Sequence, residues 1–128
     1  DSKLKPEVIQ GDWTADSGLK IGVDLNIGVG GYTAIFAAND YLALGLMKAL
    51  RLRGIEVPRD ISLIGFDDIP EATYLTPALT TMRQDFKGLG AAAMNILLGE
   101  LAGTEAQVPD NLIPEIIVRE STSPLTSA

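Results

Sequence analysis

Short apolar runs alternate with longer amphipathic stretches along this chain. The clearest run extends from Ile61 to Phe66 and is followed at once by Asp67 and Asp68. A mainly apolar, partly β-branched run of this length is typical of a parallel strand covered on both faces. The pattern therefore predicts that the two carboxylates lie at the carboxyl edge of a sheet, where α/β proteins bind ligands.

The other elements follow from the same patterns. Helical periodicity predicts helices at residues 15–25, after a Thr14 cap, at 41–53, after an Asp40 cap, and at 86–102. Apolar runs predict strands at residues 7–10, 33–38, 61–66, 79–83 and 112–119. Residues 69–78 are expected to be irregular, 104–110 to form a loop and 121–128 to form a mobile polar tail. Alternating strands and helices predict the α/β class, with a parallel sheet flanked by helices.

The second predicted helix has apolar side chains on two sides. Leu42 and Leu46 belong to one stripe, whereas Leu44 lies about 200° from Leu42 around the helix, with Met47 beside it. One patch is expected to face the sheet, and the other is expected to need a partner.

Composition and charge narrow the possible functions. Ten Lys plus Arg against seventeen Asp plus Glu give a net charge of -7, which would repel a nucleic-acid backbone. The chain contains no Cys and no His, which excludes thiolate or imidazole metal sites and Ser-His or Cys-His nucleophiles. No cofactor or metal is predicted. The 128 residues suggest one domain, and because the first residue is Asp and not Met, we expect a fragment.

Four polar-tipped or amphipathic residues each follow directly on a predicted strand: Trp13, Asn39, Asp67 and Gln84. If the strands are parallel, these residues share one edge of the sheet. The indole offers a flat apolar face, the amides donate and accept, and the carboxylate accepts two hydroxyl hydrogens. Such an edge suits a neutral, hydroxyl-rich ligand such as a sugar.

Each of these residues also has a structural interpretation. Asn39 suits a strand-to-helix turn, and Asp67 with Asp68 suits a solvated turn or an N-cap pair. Gln84 suits an exposed strand end, and a single Trp is more often part of a core. An enzyme could use the two acids, but in a continuous strand they would point to opposite faces, so binding is favoured over catalysis.

Five blocks of sequence together resemble one protein family. They are Gly-Asp-Trp-Thr-Ala-Asp-Ser-Gly (11–18), Ala-Ala-Asn-Asp-Tyr-Leu-Ala-Leu-Gly (37–45), Val-Pro-Arg-Asp-Ile-Ser-Leu-Ile-Gly-Phe-Asp-Asp (57–68), Leu-Thr-Thr-Met-Arg-Gln-Asp-Phe (79–86) and Val-Arg-Glu-Ser-Thr (118–122). Over residues 8–124 the chain resembles the C-terminal part of the lactose-repressor and galactose-repressor family of bacterial transcription regulators.

The resemblance implies a truncated type I periplasmic-binding-protein-like fold, in which residues 1–120 form a C-terminal effector-binding and dimerisation region. It implies a cytoplasmic homodimer, no enzymatic activity, no membrane partner, and operator DNA bound only through a missing N-terminal helix-turn-helix. The helix at residues 86–102 would pack on a missing N-terminal subdomain. The implied effector contacts are Trp13, Asn39, Asp67, Gln84 and Phe86, and the implied dimer contacts are Leu44, Met47 and Tyr74.

The nature of the effector stays open at this point. Trp13 is similar to the lactose-repressor branch and favours a galactoside-like sugar, but purine effectors also occur in the family. A sugar-binding protein of a transport system would have the same fold and a similar edge. An enzyme that uses Asp67 and Asp68 is a third interpretation, and it predicts loss of turnover when either residue is changed.

Overall fold

The computed structural model describes residues 6–27, 31–104 and 112–124. The chain forms helix α1 (Ala15–Asp24), strand β1 (Ala34–Phe36), helix α2 (Asp40–Leu52), strand β2 (Ser62–Asp67), a short 3₁₀ helix (Pro70–Tyr74), strand β3 (Thr80–Arg83), helix α3 (Phe86–Ala102) and strand β4 (Glu115–Ile117). The predicted loop at 104–110, apart from Thr104, and residues 125–128 of the predicted tail lie outside the described residues.

The four strands form one sheet in the order β1-β2-β3-β4. Strands β1, β2 and β3 are parallel, with Phe36 opposite Ile64 and Asp67 opposite Arg83. Strand β4 is antiparallel to β3, with Ile117 opposite Thr81. The α/β class and the mainly parallel sheet are confirmed. The last strand departs from the parallel pattern because α3 does not pack back across the sheet as a crossover helix would.

Helix α2 packs against strand β2, and helix α1 packs on α2. Gly18 and Gly22 on α1, and Gly45 on α2, lie where any side chain would collide with the other helix. At Gly18 and Gly22 helix α1 meets Leu42, Leu46 and Ala49, which lie on the first apolar stripe of α2, so the partner expected for the side that carries Leu44 stays a prediction. The core is completed by buried side chains from α2, β2 and the segment before β3, namely Leu42, Ala43, Leu46, Leu63 and Leu79.

Several sequence-based expectations about strands are wrong. Residues 7–10 are exposed and pair with no strand of the described residues, although β1 is at the edge of the sheet. Strand β2 is fully covered on one face only: Leu63 is buried, but Ile64 and Phe66 on the other face are half-buried. The exposed ring of Phe36 meets Phe66 edge to face, with ring centroids 6.4 Å apart. The last strand is also shorter than the predicted 112–119.

The expectation of a mobile tail from residue 121 is wrong for its first residues. Ser121 is fully buried between the amino ends of β2 and β3. Its hydroxyl donates to the Leu63 carbonyl oxygen at 2.6 Å and accepts from the Thr80 amide at 2.8 Å. Ser123 and the Ser62 hydroxyl also exchange hydrogen bonds. Polar composition predicted solvation here, but these hydroxyls satisfy backbone groups that would otherwise be buried without partners.

Helix α3 begins and ends where the sequence predicts. Asp85 caps its first turn by accepting from the Gly88 amide at 2.9 Å, and Gly103 ends it with φ of 68°. Most of its large apolar side chains are exposed: Leu89, Met94, Ile96, Leu97, Leu98 and Leu101. In the described part of the chain, α3 packs extensively on no other helix or strand. No helix among the described residues is long and apolar enough to cross a membrane.

The exposed apolar surface of α3 leads to a testable expectation. At low concentration the chain should bind an apolar fluorescent dye, and at higher concentration it should associate, because a contiguous apolar surface favours burial. Analytical ultracentrifugation over a concentration series, with dye fluorescence in parallel, measures both effects. Leu97→Glu should weaken both, whereas Val8→Glu, an exposed change outside α3, should not. A monomer at every concentration without dye binding would contradict the expectation.

Candidate functional site at the carboxyl edge of the sheet

The structure brings Asn39, Asp67 and Gln84 to one edge of the sheet, as predicted. Asn39 and Asp67 each lie three residues beyond the paired positions Phe36 and Ile64, at the carboxyl ends of parallel strands. Gln84 directly follows β3, and its Nε2 donates to Asp67 Oδ1 at 3.0 Å. We call this set, together with Trp13, the rim. In open α/β sheets such an edge is the usual position of a ligand cleft.

Trp13 reaches the rim by a route that the sequence pattern did not predict. It follows no strand and instead precedes α1 in a left-handed conformation, with φ of 71°. Its carbonyl oxygen accepts from Asn39 Nδ2 at 3.0 Å. On either side of it, Asp12 Oδ1 accepts from the Thr14 amide at 3.1 Å and from the Thr14 hydroxyl at 2.6 Å. The side chain is 64% exposed, so the indole is a surface platform and not a core residue.

Asn39 has the structural role that the sequence left open. It is the N-cap of α2, and its Oδ1 accepts from the Leu42 amide at 2.8 Å. The expectation that Asp40 caps this helix is therefore wrong, because Asp40 is already the first helical residue. The Asn39 amide carries two hydrogens and two lone pairs, so its two hydrogen bonds leave capacity for a ligand.

The two adjacent carboxylates have different partners. Asp67 is half-buried, and its Oδ2 makes no hydrogen bond with the residues that the structure describes. The Asp68 side chain is only 7% exposed and lies between Arg83 and Arg119, with a nitrogen of each at 2.6 Å. Burial acts to raise the pKa of Asp68, but the hydrogen bonds from Arg119 and Arg83 outweigh it and hold the pKa below its ordinary value. Asp68 is thus committed to ion pairs, which disfavours a catalytic carboxylate pair.

Asp40 is an important rim-supporting residue that the sequence analysis missed. It is fully buried, and its carboxylate accepts from the Thr81 hydroxyl at 2.6 Å and from the Ile69 amide at 2.9 Å. A side chain on Gly65 would collide with it. A glycine inside a buried strand marks a close approach of another group, so Gly65 was the available signal.

All three non-glycine residues with positive φ in the described part of the chain belong to this edge. They are Trp13 at 71°, Asp67 at 112° and Asp68 at 54°. Such conformations cost about 1–3 kcal/mol each and cluster at ligand sites, where surrounding contacts hold them in place. The hydrogen bonds and ion pairs described above are those contacts.

The remaining predicted residues lie outside this network. Phe86 is exposed at the start of α3, next to the rim in sequence. Of the predicted dimer contacts, Leu44 is half-buried and Tyr74 is exposed, whereas Met47 packs partly against the core of the chain. Their roles in effector binding and dimerisation stay predictions.

Comparison with known proteins agrees with this geometry. Residues 6–122 match the family model of the periplasmic binding protein-like domain. The chain is 42% identical over 92 residues to the transcriptional regulator MalR of Streptomyces coelicolor, covering 71% of this chain and 27% of the regulator. It is 38% identical over 115 residues to the lactose operon repressor of Escherichia coli, an alignment that covers 89% of this chain and 31% of that repressor. It is 41% identical over 93 residues to the HTH-type transcriptional repressor PurR of Haemophilus influenzae, an alignment that covers 70% of this chain and 28% of that repressor.

Solved structures show the same likeness. A lac repressor dimer bound to operator and the anti-inducer ONPF has a TM-score of 0.77 and 34% identity, covering 88% of this chain and 39% of that one. A LacI-family regulator from an Arthrobacter species in complex with lactose has a TM-score of 0.68 and 30% identity, and the alignment covers 88% of this chain and 44% of that one.

The fold and its rim thus define a periplasmic-binding-protein-like domain of mixed α/β type. The chain belongs to that family, in the branch formed by the effector-binding domains of lactose-repressor-type transcriptional regulators. It spans about a quarter to a third of the length of the three curated relatives.

Proposed function

We propose that this chain is the effector-sensing and dimerisation part of a lactose-repressor-type regulator in the cytoplasm. The observation that carries the proposal is the rim, which combines an exposed indole with the Asn39 amide, the Asp67 carboxylate and the Gln84 amide at one sheet edge. The three curated relatives named above are transcriptional regulators, which favours the regulator over the transport interpretation.

The chemistry of the rim favours a sugar as effector. An indole face packs against the C–H side of a pyranose ring, and the free Asp67 Oδ2 can accept a ring hydroxyl. Two relatives of known structure hold a sugar, one lactose and the other ribose. A purine would use the same platform but would bring its own N–H donors, and one relative is a PurR repressor. The test therefore compares the binding of sugars with the binding of a purine.

The proposed regulatory mechanism uses the rim as one side of an effector cleft. One sheet edge supplies half of a cleft, and a facing subdomain outside these residues would supply the other half, with α3 packed against it. An effector that binds one relative placement of the two halves more tightly shifts the population toward that placement. A homodimer formed near Leu44, Met47 and Tyr74 would transmit this difference to a DNA-binding head. With a net charge of -7, this chain would not itself bind the operator.

Titration of this chain with lactose, ribose and adenine tests the proposal. The only Trp of the chain lies at the rim, so its fluorescence is expected to change as a sugar binds. Asp67→Asn should weaken sugar binding by about tenfold or more, because hydrogen bonds to charged groups contribute about 1.5–3 kcal/mol. The dissociation constant from fluorescence, checked by calorimetry, is the measurement.

Glu71→Gln is the matched control, because it removes one exposed carboxylate from the neighbouring 3₁₀ helix without touching the rim. Equal loss of affinity in the two variants would overturn the assignment of Asp67. Tighter binding of adenine than of either sugar would replace the sugar effector by a purine. Because this chain supplies only half of the cleft, weak binding is expected, and no response even at high ligand concentration, with the fold intact, would count against effector binding at this edge.

A further inference from the structure

The buried carboxylate of Asp40 connects the elements that carry the rim. It lies in the first turn of α2, next to Asn39 in the chain. One of its oxygens accepts from the Thr81 hydroxyl of β3 at 2.6 Å, and the other accepts from the Ile69 amide at 2.9 Å. Ile69 directly follows Asp67 and Asp68. A single side chain thus joins α2, β3 and the end of β2.

Helix capping does not account for Asp40. Asn39 already caps α2 through the Leu42 amide, so the helix needs no second cap. Burial raises the pKa of the Asp40 carboxyl group, and the hydrogen bonds from Thr81 and Ile69 offset this only in part. Burying an acid is costly unless it is hydrogen-bonded, and here the carboxylate holds the Ile69 backbone amide in return.

Asp40 holds the backbone amide of Ile69, which directly follows two residues in unfavourable backbone conformations. Asp67 and Asp68 both have positive φ, which non-glycine residues adopt only when surrounding contacts impose it. Asp68 is fixed by its two arginines and Asp67 by Gln84, but neither contact reaches the helix that carries Asn39. The bond from the Ile69 amide to Asp40 supplies that connection.

We propose that Asp40 is a positioning residue of the rim, which fixes the turn of Asp67 and Asp68 relative to Asn39. The consequence for effector affinity rests on the function proposed above, whereas the positioning itself does not. Without Asp40 the turn would remain bonded to β3 but would lose its link to α2. The carboxylate of Asp67 and the amide of Asn39 would then no longer be held at a fixed separation.

Two substitutions separate positioning from simple loss of stability. Asp40→Ala removes both hydrogen bonds and leaves the Ile69 amide without its acceptor. Asp40→Asn has nearly the same shape, and its amide can accept from Ile69 while donating to the Thr81 oxygen. Asp16→Ala and Asp16→Asn provide matched charge controls on the exposed first turn of α1.

The experiment measures amide hydrogen exchange by NMR and lactose affinity on the same variants. Asp40→Ala should speed exchange at Ile69 by about tenfold or more relative to amides in the core of β2, and weaken lactose binding by a similar factor. Asp40→Asn should restore both values to within about threefold of the parent chain. If Asp40→Ala does not fold, Thr81→Val compared with Thr81→Ser carries the test, since only the serine keeps the hydroxyl bonded to Asp40.

The outcomes are distinct. The positioning role would be overturned if Asp40→Ala accelerated exchange equally at all amides. It would also be overturned if the exchange rate at Ile69 were the same in Asp40→Ala and Asp16→Ala. Failure of Asp40→Asn to restore the slow exchange would overturn it as well. If the parent chain does not bind lactose, the sugar effector fails, but the exchange data still decide whether Asp40 positions the turn. If Asp40→Ala does not fold, equal exchange at Ile69 in Thr81→Val and Thr81→Ser would overturn the positioning role.

Discussion

Replacing Gly45 by alanine is expected to lower the free energy of unfolding by about 3 kcal/mol or more. A β-carbon at this position would overlap the Ala15 carbonyl oxygen and lie 2.6 Å from the Leu19 amide nitrogen. Both are backbone atoms of α1, which cannot rotate away as a side chain could. The two helices would have to separate, and the core that they cover would lose part of its packing.

Thermal unfolding followed by circular dichroism measures this effect, and a drop in Tm of more than roughly 10 °C is expected. Gly90→Ala is the matched control, because a β-carbon there has nothing within 4 Å. That change should leave stability unchanged or raise it by up to about 1 kcal/mol, since alanine favours a helix over glycine. Equal melting temperatures for the two variants would mean that α1 and α2 do not pack as closely as described.

The second large effect is expected for Arg119→Met. Arg119 is 14% exposed and donates to Asp68 Oδ1 at 2.6 Å and to the Leu79 carbonyl oxygen at 2.7 Å. Its loss would leave Asp68 with Arg83 alone and the Leu79 carbonyl oxygen without this donor. Breaking a buried ion pair by removing one partner costs about 3–5 kcal/mol, so a loss of about 2–4 kcal/mol is expected here, because Arg83 remains.

The pH dependence of stability provides the diagnostic measurement. The pKa of Asp68 lies below its ordinary value of 3.8 in the folded chain, so its ion pairs stabilise the fold above that value. This contribution is lost as the pH falls through the lowered pKa. Urea unfolding should therefore show a large difference between Arg119→Met and the parent chain at pH 7, which shrinks below about pH 3.8.

Arg59→Met is the control for this experiment. Arg59 also forms ion pairs, with Glu56 at 2.7 Å and Asp60 at 3.0 Å, but its side chain is 65% exposed. Surface pairs of this kind contribute about 0–1 kcal/mol, so the control should change stability little. A similar cost for both arginines, or a difference that does not depend on pH, would show that Arg119 acts through packing and not through charge.

Local patterns were enough to predict most of the elements. Helix α3 has its predicted bounds because Asp85 and Gly103 are strong local signals for a helix start and end. Strands β2 and β3 differ from prediction by one residue at most ends, since a frayed strand end has no sharp local signal. The direction of β4 was beyond local patterns, because it depends on where the chain travels after α3.

The sequence was enough to predict which residues form the rim, but not the hydrogen bonds between them. Asn39 lies shortly after β1 and Asp67 is the last residue of β2, so the parallel sheet brings them to the same edge without further information. The position of Trp13 depends on a left-handed backbone that the Asn39 side chain holds, and no periodicity encodes that contact. In the pair Asn39 and Asp40 either residue could cap α2 by sequence alone. The choice is made by Gly65, which leaves room for the Asp40 carboxylate beneath the helix.

The buried hydroxyl of Ser121 has a consequence for how the chain is made. It bonds to Leu63 and Thr80 together, so the amino ends of β2 and β3 are joined by a residue that is encoded 41 positions after Thr80. During synthesis on the ribosome, β2 and β3 emerge long before that serine does. Completion of the sheet must therefore wait until residue 121 has left the exit tunnel, so nascent chains and shortened expression products that end before it carry an unfinished sheet.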